Sequence, residues 1–438
     1  MTSPVAPRTS RGFRRALLIV VLGALAFRVG YVLIVTQFDT GFYDAAFYEL
    51  EAKSVADGRG FVNPFPGPHS GAEAADHPPL TVVALVPAAE LPGDSQLWMR
   101  FTMALLGTAV VGLIALLGRR VAGEGVGLIA AGIAALYPNL WMNDGLLMSE
   151  TLAALTTVGA LLLAYRMLRR PTWGVAAALG ATCGLAALTR AELVLLVPFL
   201  ALPVAWCSYR DHVTVRLRAV GVSVAAAGLI MAPWIGFNLA RFDQPTFLST
   251  GDGIALLGSN CATTYHGPTV GFWSLACLPP KTAGGDQSVE ALRYRNLATD
   301  YIRGHKGRLP VVVLARFGRL LGVYTPGQIA RYNAGEGRPR WASYLGIASF
   351  LVLLPLAAAG GIWLRRRRVR IWLLFTPVWV VLISAAVFYG TPRFRVPAEP
   401  TVVVLAAVGI GALLGRRWPG MGPEPPREVE RPAAAAER

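Results

Sequence analysis

The sequence predicts an all-α polytopic membrane protein with about ten transmembrane helices and interfacial helices on its outer face. Three observations lead there. Of the 438 residues, 54% are hydrophobic and only 15% are charged, where an average soluble domain carries roughly 25% charged residues. Mean hydropathy is +0.49. Apolar runs near the roughly 20 residues that cross a bilayer recur along the chain, and arginine clusters punctuate them. The net charge of +16 therefore serves membrane topology. The basic residues are not interleaved with aromatics on a soluble module, so nucleic acid is not an expected partner. The apolar content excludes disorder away from the chain ends. Four cysteines are too few to hold a chain of this length as a disulfide scaffold.

The apolar runs are residues 16–37, 98–118, 125–141, 146–165, 173–189, 192–207, 219–238, 342–364, 371–389 and 396–414. In the first, Ala24-Leu25-Ala26 resembles a signal-peptide cleavage site. The run resumes at Val29 and reaches Val35, so an uncleaved span is favoured. Arg11, Arg14 and Arg15 precede the first span, Arg119 and Arg120 follow the second, and Arg166, Arg169 and Arg170 follow the fourth. Arg210, Arg216 and Arg218 part the sixth from the seventh, Arg365 to Arg368 with Arg370 part the eighth from the ninth, and Arg416 and Arg417 follow the tenth. With ten crossings these clusters share one side, which the positive-inside rule makes cytoplasmic, as are both termini. The expected home is the plasma (inner) membrane. An eleventh crossing at 309–326 would throw the Arg365–Arg370 cluster outside. That segment, with Arg316 and Arg319 on one helical face, reads as an interfacial amphipathic helix on the outer surface. The chain thus divides into a cytoplasmic N-terminus (1–15), a membrane domain (16–415) with outer loops 37–96 and 239–341, and a cytoplasmic tail (416–438) of disordered composition.

The polar chemistry collects on the outer side. The first outer loop holds Asp44, Glu49, Glu51, His69, Asp76 and His77 among others; Asn143, Asp144 and Glu150 fall between spans three and four. Arg190 and Glu192 fall between spans five and six, and Arg393 and Arg395 between spans nine and ten. An outward-facing active site or binding cleft is the natural reading. Asp44 opens a short helix whose Tyr43, Phe47 and Leu50 make an apolar stripe that can lie on the bilayer; by spacing alone Asp44 can equally be a cap. Asp76-His77-Pro78-Pro79 reads as a helix start with Asp76 as cap, and His77 as a polar residue just outside the membrane. Glu150, at the head of span four, is either functional or a first-turn acid favoured by the helix dipole. Glu192 can pair with Arg190. Arg28, deep in span one, needs an intramembrane partner that the sequence does not name. His69, Asp76 and His77 lack tight ligand spacing, and no metal site is expected.

These motifs, in order, carry a resemblance. They are Asp44…Tyr48…Gly58-Arg59-Gly60-Phe61, His77-Pro78-Pro79-Leu80, Arg100…Leu117-Gly118-Arg119-Arg120, Ala135-Leu136-Tyr137-Pro138, Ser149-Glu150-Thr151-Leu152, Leu188-Thr189-Arg190, Ala232-Pro233-Trp234…Asn238 and Arg393-Phe394-Arg395-Val396-Pro397. The chain resembles the bacterial dolichyl-phosphate-mannose protein mannosyltransferase-like glycosyltransferases of GT-C type, from about residue 20 to 415. The resemblance implies a membrane transferase that takes a sugar from a polyprenyl-phosphate donor to an acceptor hydroxyl. It implies an essential acid in the first outer loop, at Asp44. Asp44 is followed by Ala45, where protein mannosyltransferases often carry adjacent Asp-Glu, and the acceptor stays open between lipid, glycan and protein.

The chemistry asks for a carboxylate base near the bilayer surface, Asp44 with Glu150 as the second candidate, and for cations on the leaving phosphate. Arg190, Arg393, Arg395 and His77 are the donor-phosphate candidates; Arg393 and Arg395 flank a helix start at Pro397. No cofactor is expected, and a need for divalent metal is left open. The rival reading is a transporter or flippase for a lipid-linked sugar, which would set its polar groups near the midplane and often show an internal repeat. Here the polar groups sit at the outer span ends and no repeat is detected. Cys261 and Cys277, both in the second outer loop, are expected to be bridged, while Cys183 and Cys207 lie in spans and stay reduced.

Overall fold

The structure is a computed structural model, and it describes residues 10–36, 44–66, 70–209, 212–280 and 285–415. Tyr43, His69, Arg210, Arg416, Arg417 and the rest of the tail lie outside the described residues. Among those described, the elements are helical apart from one isolated bridge between Val62 and Glu73. Helices occupy all ten expected runs. Among the described residues, seven helices are long and apolar enough to cross a membrane by themselves, and up to nine if each of two bent pairs, one of them outside those runs at Lys306–Leu321 and Pro326–Gly335, is one span. Trp173–Thr189 and Trp372–Val387 are apolar but shorter, at 17 and 16 residues. The chain is a multi-pass membrane protein.

Local rules set the helix ends. Ser10 caps Arg11–Tyr31 by accepting from Phe13 N–H, and Asp94 caps Ser95–Ala122 by accepting from Leu97 N–H. Gly123 stops that helix at φ 97°, a conformation few other residues adopt. Small residues let the spans approach closely. A Cβ placed on Gly360 would sit 1.9 Å from the Leu405 carbonyl oxygen, so Arg340–Arg366 meets Glu399–Leu414 backbone to backbone only because that position is glycine. Around these contacts Ile114, Leu117, Val126, Val158, Leu161 and Val403 form the fully buried core.

The bundle has an arginine end and an acidic end. At the first, Arg169 donates to Arg120 O and Tyr165 to Arg370 O, and Arg119 pairs with Glu124 near Phe13. The acidic end carries the short helices Asp44–Ala56 and Leu80–Ala89. Two expectations change here. The Phe47 stripe turns inward: Phe47 packs with Tyr48, Val82, Leu85 and Met99. Asp76 is not a cap, because the following helix begins at Leu80 behind Pro79. Each proline steers the residue before it away from helical geometry, which delays the start beyond Asp76's reach.

Arg28 finds its partner in Asp144, Nε to Oδ2 at 2.7 Å, while Thr151 donates to the other carboxylate oxygen at 2.8 Å. Both ionic side chains are buried. The 309–326 segment also differs from expectation. Leu309–Leu321 bends by 67° into Pro326–Gly335, and its arginines face protein, not water. Arg316 donates to Ser259 O and Asn260 Oδ1, and Arg319 to Val270 O and Pro268 O. A guanidinium has donors enough to satisfy several loop carbonyls, so this face fastens the second large loop to the helix. Cys261 and Cys277 of that loop are bridged, with Cα atoms 5.7 Å apart; Cys183 and Cys207 are free.

Removing either partner of the Arg28–Asp144 pair strands a buried charge. Arg28→Ala and Asp144→Ala are each expected to destabilise the bundle by about 3–5 kcal/mol, and Arg28→Met with Asp144→Leu to recover most of that loss. Thermal unfolding of the detergent-purified variants measures it.

Candidate active site

Arg393 is the centre of the acidic end. It lies in the short 3-10 segment Pro392–Ala398 that leads into the helix Glu399–Leu414. Its guanidinium meets three carboxylates from remote parts of the chain. Nη2 donates to Asp44 Oδ2 at 2.5 Å, Nε lies 3.0 Å from Glu150 Oε1, and Nη1 donates to Glu336 Oε1. Asp44 and Glu150 are each the first residue of a helix, and Glu336 follows the end of Pro326–Gly335.

Two further arginines complete the cluster. Arg190, at the break after Trp173–Thr189, pairs with Glu150 at 3.3 Å and Glu192 at 2.6 Å. Arg338 bonds to Glu336 and to Asn143 Oδ1, and stands 3.8 Å from Glu150. Three guanidiniums thus face four carboxylates, Asp44, Glu150, Glu192 and Glu336. In an apolar bundle such charges persist only when paired.

Burial alone would push the Asp44 carboxyl up, but Arg393 and His77 outweigh it and hold the group well below the usual carboxylate range. His77 Nε2 is 3.7 Å from Asp44 Oδ1, and its ring stacks on Tyr48 with centroids 4.9 Å apart. On the same helix burial, with Asp76 adding and Arg241 opposing, pushes Glu51 up to about 9, so it is protonated at neutral pH.

Part of this cluster stands on the wall of a cavity of about 1280 Å³. Asp44, His77, Arg190 and Arg393 line it, with Phe247, Leu248 and Phe388 among its apolar walls. The Asp44 side chain is 29% exposed, whereas Glu150 is fully buried behind the arginines and does not line the cavity. Glu150 therefore has the geometry of a residue that positions Arg190 and Arg393, not of one that reaches a ligand. Arg395 is also apart from the cavity. It pairs with Glu399 at 2.6 Å, donates to Leu320 O and lies over the Phe350 ring. Arg393 and Arg395 do not act as a pair because a turn of about three residues sends side chains two apart to different sides. Sequence reasoning missed Glu336 and Arg338, and also Tyr332 and Tyr389, which line the cavity. The one signal for the first two was their place just ahead of an apolar run, the signal that singled out Glu150. Among the described residues, no three His, Cys, Asp or Glu side chains gather as metal ligands.

Residues 76–237 match the family model of the dolichyl-phosphate-mannose-protein mannosyltransferases. That stretch includes His77, Glu150 and Arg190 but neither Asp44 nor Arg393. No curated protein matches the chain. The archaeal oligosaccharyltransferase AglB from Archaeoglobus fulgidus, solved in complex with an inhibitory peptide and a dolichol-phosphate, is 15% identical, aligns over 94% of this chain and 51% of its own, and has a TM-score of 0.53. The oligosaccharyltransferase of the same organism tethered with an acceptor peptide is 16% identical over 93% of this chain and 50% of its own, with a TM-score of 0.56. ArnT from Cupriavidus metallidurans bound to undecaprenyl phosphate is 18% identical over 94% of this chain and 80% of its own, at a lower TM-score of 0.44. The chain spans about half the length of the oligosaccharyltransferases it matches. It shares the polytopic fold of these oligosaccharyltransferases, and residues 76–237 carry a sequence resemblance to the dolichyl-phosphate-mannose-protein mannosyltransferases.

Because the folded Asp44 carboxyl sits below its unfolded value, its pairing contributes stability that is present above the ordinary Asp range near pH ~3.9 and is lost as pH falls toward the folded value. The stability difference between wild type and Asp44→Asn is therefore expected to stay level from neutrality to about pH 5 and to shrink only below about pH 4. Unfolding temperatures across that range test it.

Proposed function

We propose that this protein is an integral membrane glycosyltransferase that moves a sugar from a polyprenyl-phosphate donor to an acceptor hydroxyl on the outer face of the membrane. The observation that carries this reading is the contact of Asp44 with Arg393 on the cavity wall, a carboxylate and a phosphate-ready cation side by side. The arginine clusters at the opposite end of the bundle support an extracytoplasmic site with cytoplasmic termini. The resemblance to polyprenyl-phosphate enzymes supports the donor class.

In this reading the donor chain stays in the bilayer and its phosphate enters the cavity beside Arg393 and Arg190. The acceptor oxygen attacks the anomeric carbon, the bond from that carbon to the phosphate oxygen breaks, and the acceptor proton passes to Asp44. Polyprenyl phosphate leaves with one more negative charge, which the two guanidiniums stabilise. His77, held against Tyr48, is placed to hold the phosphate or the acceptor beside Asp44. Glu150 and Glu192 keep the arginines aimed.

The ion pair also couples binding to base strength. With no donor, Arg393 holds Asp44 ionised and a weak base. A phosphate that draws Arg393's charge relieves that hold and raises the proton affinity of Asp44 when the acceptor is present. The acid limb of kcat/KM, which reports the free enzyme, is thus expected at lower pH than the acid limb of kcat, which reports the loaded one. Coincident limbs in the two profiles contradict the coupling.

Asp44→Asn keeps the size and removes the base. Turnover, followed as polyprenyl phosphate released from a panel of polyprenyl-phosphate sugars, is expected to fall by about 10²–10⁴-fold in a protein that still folds. Near-normal turnover sinks the assignment. Arg393→Lys is expected to weaken polyprenyl-phosphate binding by about tenfold or more, since lysine cannot reproduce the planar fork. Arg395→Lys is expected to lower the unfolding temperature and leave that affinity unchanged.

A further inference from the structure

The main cavity has a second polar wall, for which the transfer chemistry above has no use. It belongs to the second outer loop, and Asp252, Arg295 and Trp273 line it. Asp252 stands in the first turn of Gly251–Gly258, and Arg295 in the middle of Gln287–Gly304. Arg295 Nε is 2.9 Å from Asp252 Oδ2, and Nη2 donates to Oδ1 at 3.3 Å. The head of the first of these helices is fastened beside the candidate base. Ser249 Oγ donates to Asp76 O at 2.5 Å and Thr250 N–H to Ala75 O at 2.8 Å, and the residue after Asp76, His77, faces Asp44 Oδ1. Arg393 holds the other oxygen, Oδ2. The wall thus adjoins Asp44 from the His77 side, across the carboxylate from Arg393.

Trp273 is set into this wall. A Cβ on Gly258 would sit 2.0 Å from Trp273 Nε1, so the indole rests on the helix at that glycine, and its N–H donates to Ile254 O at 3.2 Å. The Cys261–Cys277 bridge and the 2.9 Å bond from Ser274 N–H to Gly258 O pin the segment that carries it. With its one N–H spent on the backbone, the indole offers an occupant only its apolar surface.

The ion pair beside it contributes little to the fold. Its side chains are 30% and 43% exposed, and pairs that open add little stability. Asp252 is the one partner of the Arg295 side chain among the described residues. A guanidinium carries five N–H donors, so donors remain for an occupant.

We infer that Asp252, Arg295 and Trp273 bind a sugar ring and, resting on the transferase reading above, that the acceptor is a glycan or glycoside whose hydroxyl this wall presents to Asp44. Charge and shape decide the class. The pair is neutral as a unit, so an anion would have to displace Asp252 and a cation Arg295. Sugar hydroxyls both donate and accept, and so take N–H bonds from one and give O–H bonds to the other as they stand. A sugar ring also has a face of C–H groups to set against the indole. An acyl chain matches the indole but strips water from the ion pair without replacing its hydrogen bonds.

The test uses the full-length protein in detergent, with methyl glycosides of hexoses and pentoses as probes, a serine- and threonine-containing peptide as the alternative acceptor, and undecaprenyl phosphate as the donor-side control. Saturation-transfer NMR reads glycoside and peptide binding, and titration reads undecaprenyl phosphate. At least one glycoside is expected to bind, and Arg295→Gln and Trp273→Leu are each expected to weaken it about tenfold while undecaprenyl-phosphate affinity holds. Arg295→Gln alters a partly exposed side chain and carries the comparison where Trp273→Leu fails to fold. Absence of glycoside binding, binding unchanged in either folded variant, or peptide binding in place of glycosides overturns the assignment. Glycoside binding without sugar transfer from any polyprenyl-phosphate donor upholds the sugar-binding wall and overturns the transferase reading. Transfer without glycoside binding does the reverse.

Discussion

One guanidinium holds the acidic end together. Arg393 ties Asp44, Glu150 and Glu336, three carboxylates that arrive from an interfacial helix, the head of a span and a loop. Without that shared cation Asp44 would lose its guanidinium partner, and Glu150 and Glu336 would depend on Arg190 and Arg338 alone, in or beside an apolar bundle where unpaired ionised groups do not persist. Arg190 and Arg338 extend the same solution on either side, both reaching Glu150. The cavity has its shape because these charges must meet, and the segments that carry them must come with them.

The same principle recurs away from the cavity. Arg28 and Asp144 neutralise each other between the first span and the bent third one. Arg395 and Glu399 form a further buried system with Tyr137, whose hydroxyl donates to Glu399 at 2.8 Å and accepts from Asn139. Arg316 and Arg319 solve a different problem, since they bind carbonyls and not acids and so hold the second large loop against the bundle. Arginine suits both tasks because its donors are many and fixed in one plane.

Apolar runs made the spans legible, and arginine clusters made the two ends legible. The grouping of Asp44, Glu150, Arg190 and Arg393 followed from the ends alone: polar residues at the same ends of packed spans have little room to be far apart. Partners were another matter. Asp44 and Arg393 are 349 residues apart, and nothing local in either motif names the other. Asp144 was visible as an outer-side acid, but its bond to Arg28 depends on how the helix from Pro138 bends back over the first span. Arg393 and Arg395 looked equivalent in sequence and are not, because the turn between them separates their side chains. Glu336 and Arg338 sat in a long loop, marked only by their place just ahead of an apolar run.

The ion pair at the site has unequal backing. Arg393 leads into the largely buried helix Glu399–Leu414, and Arg395 bolts the same turn to Glu399. Asp44 heads a 13-residue helix at the rim of the bundle, with its carboxylate 29% exposed to the cavity. A ligand that parts the two charges therefore meets a partly exposed carboxylate on one side and, on the other, a guanidinium set in a turn that is buried throughout.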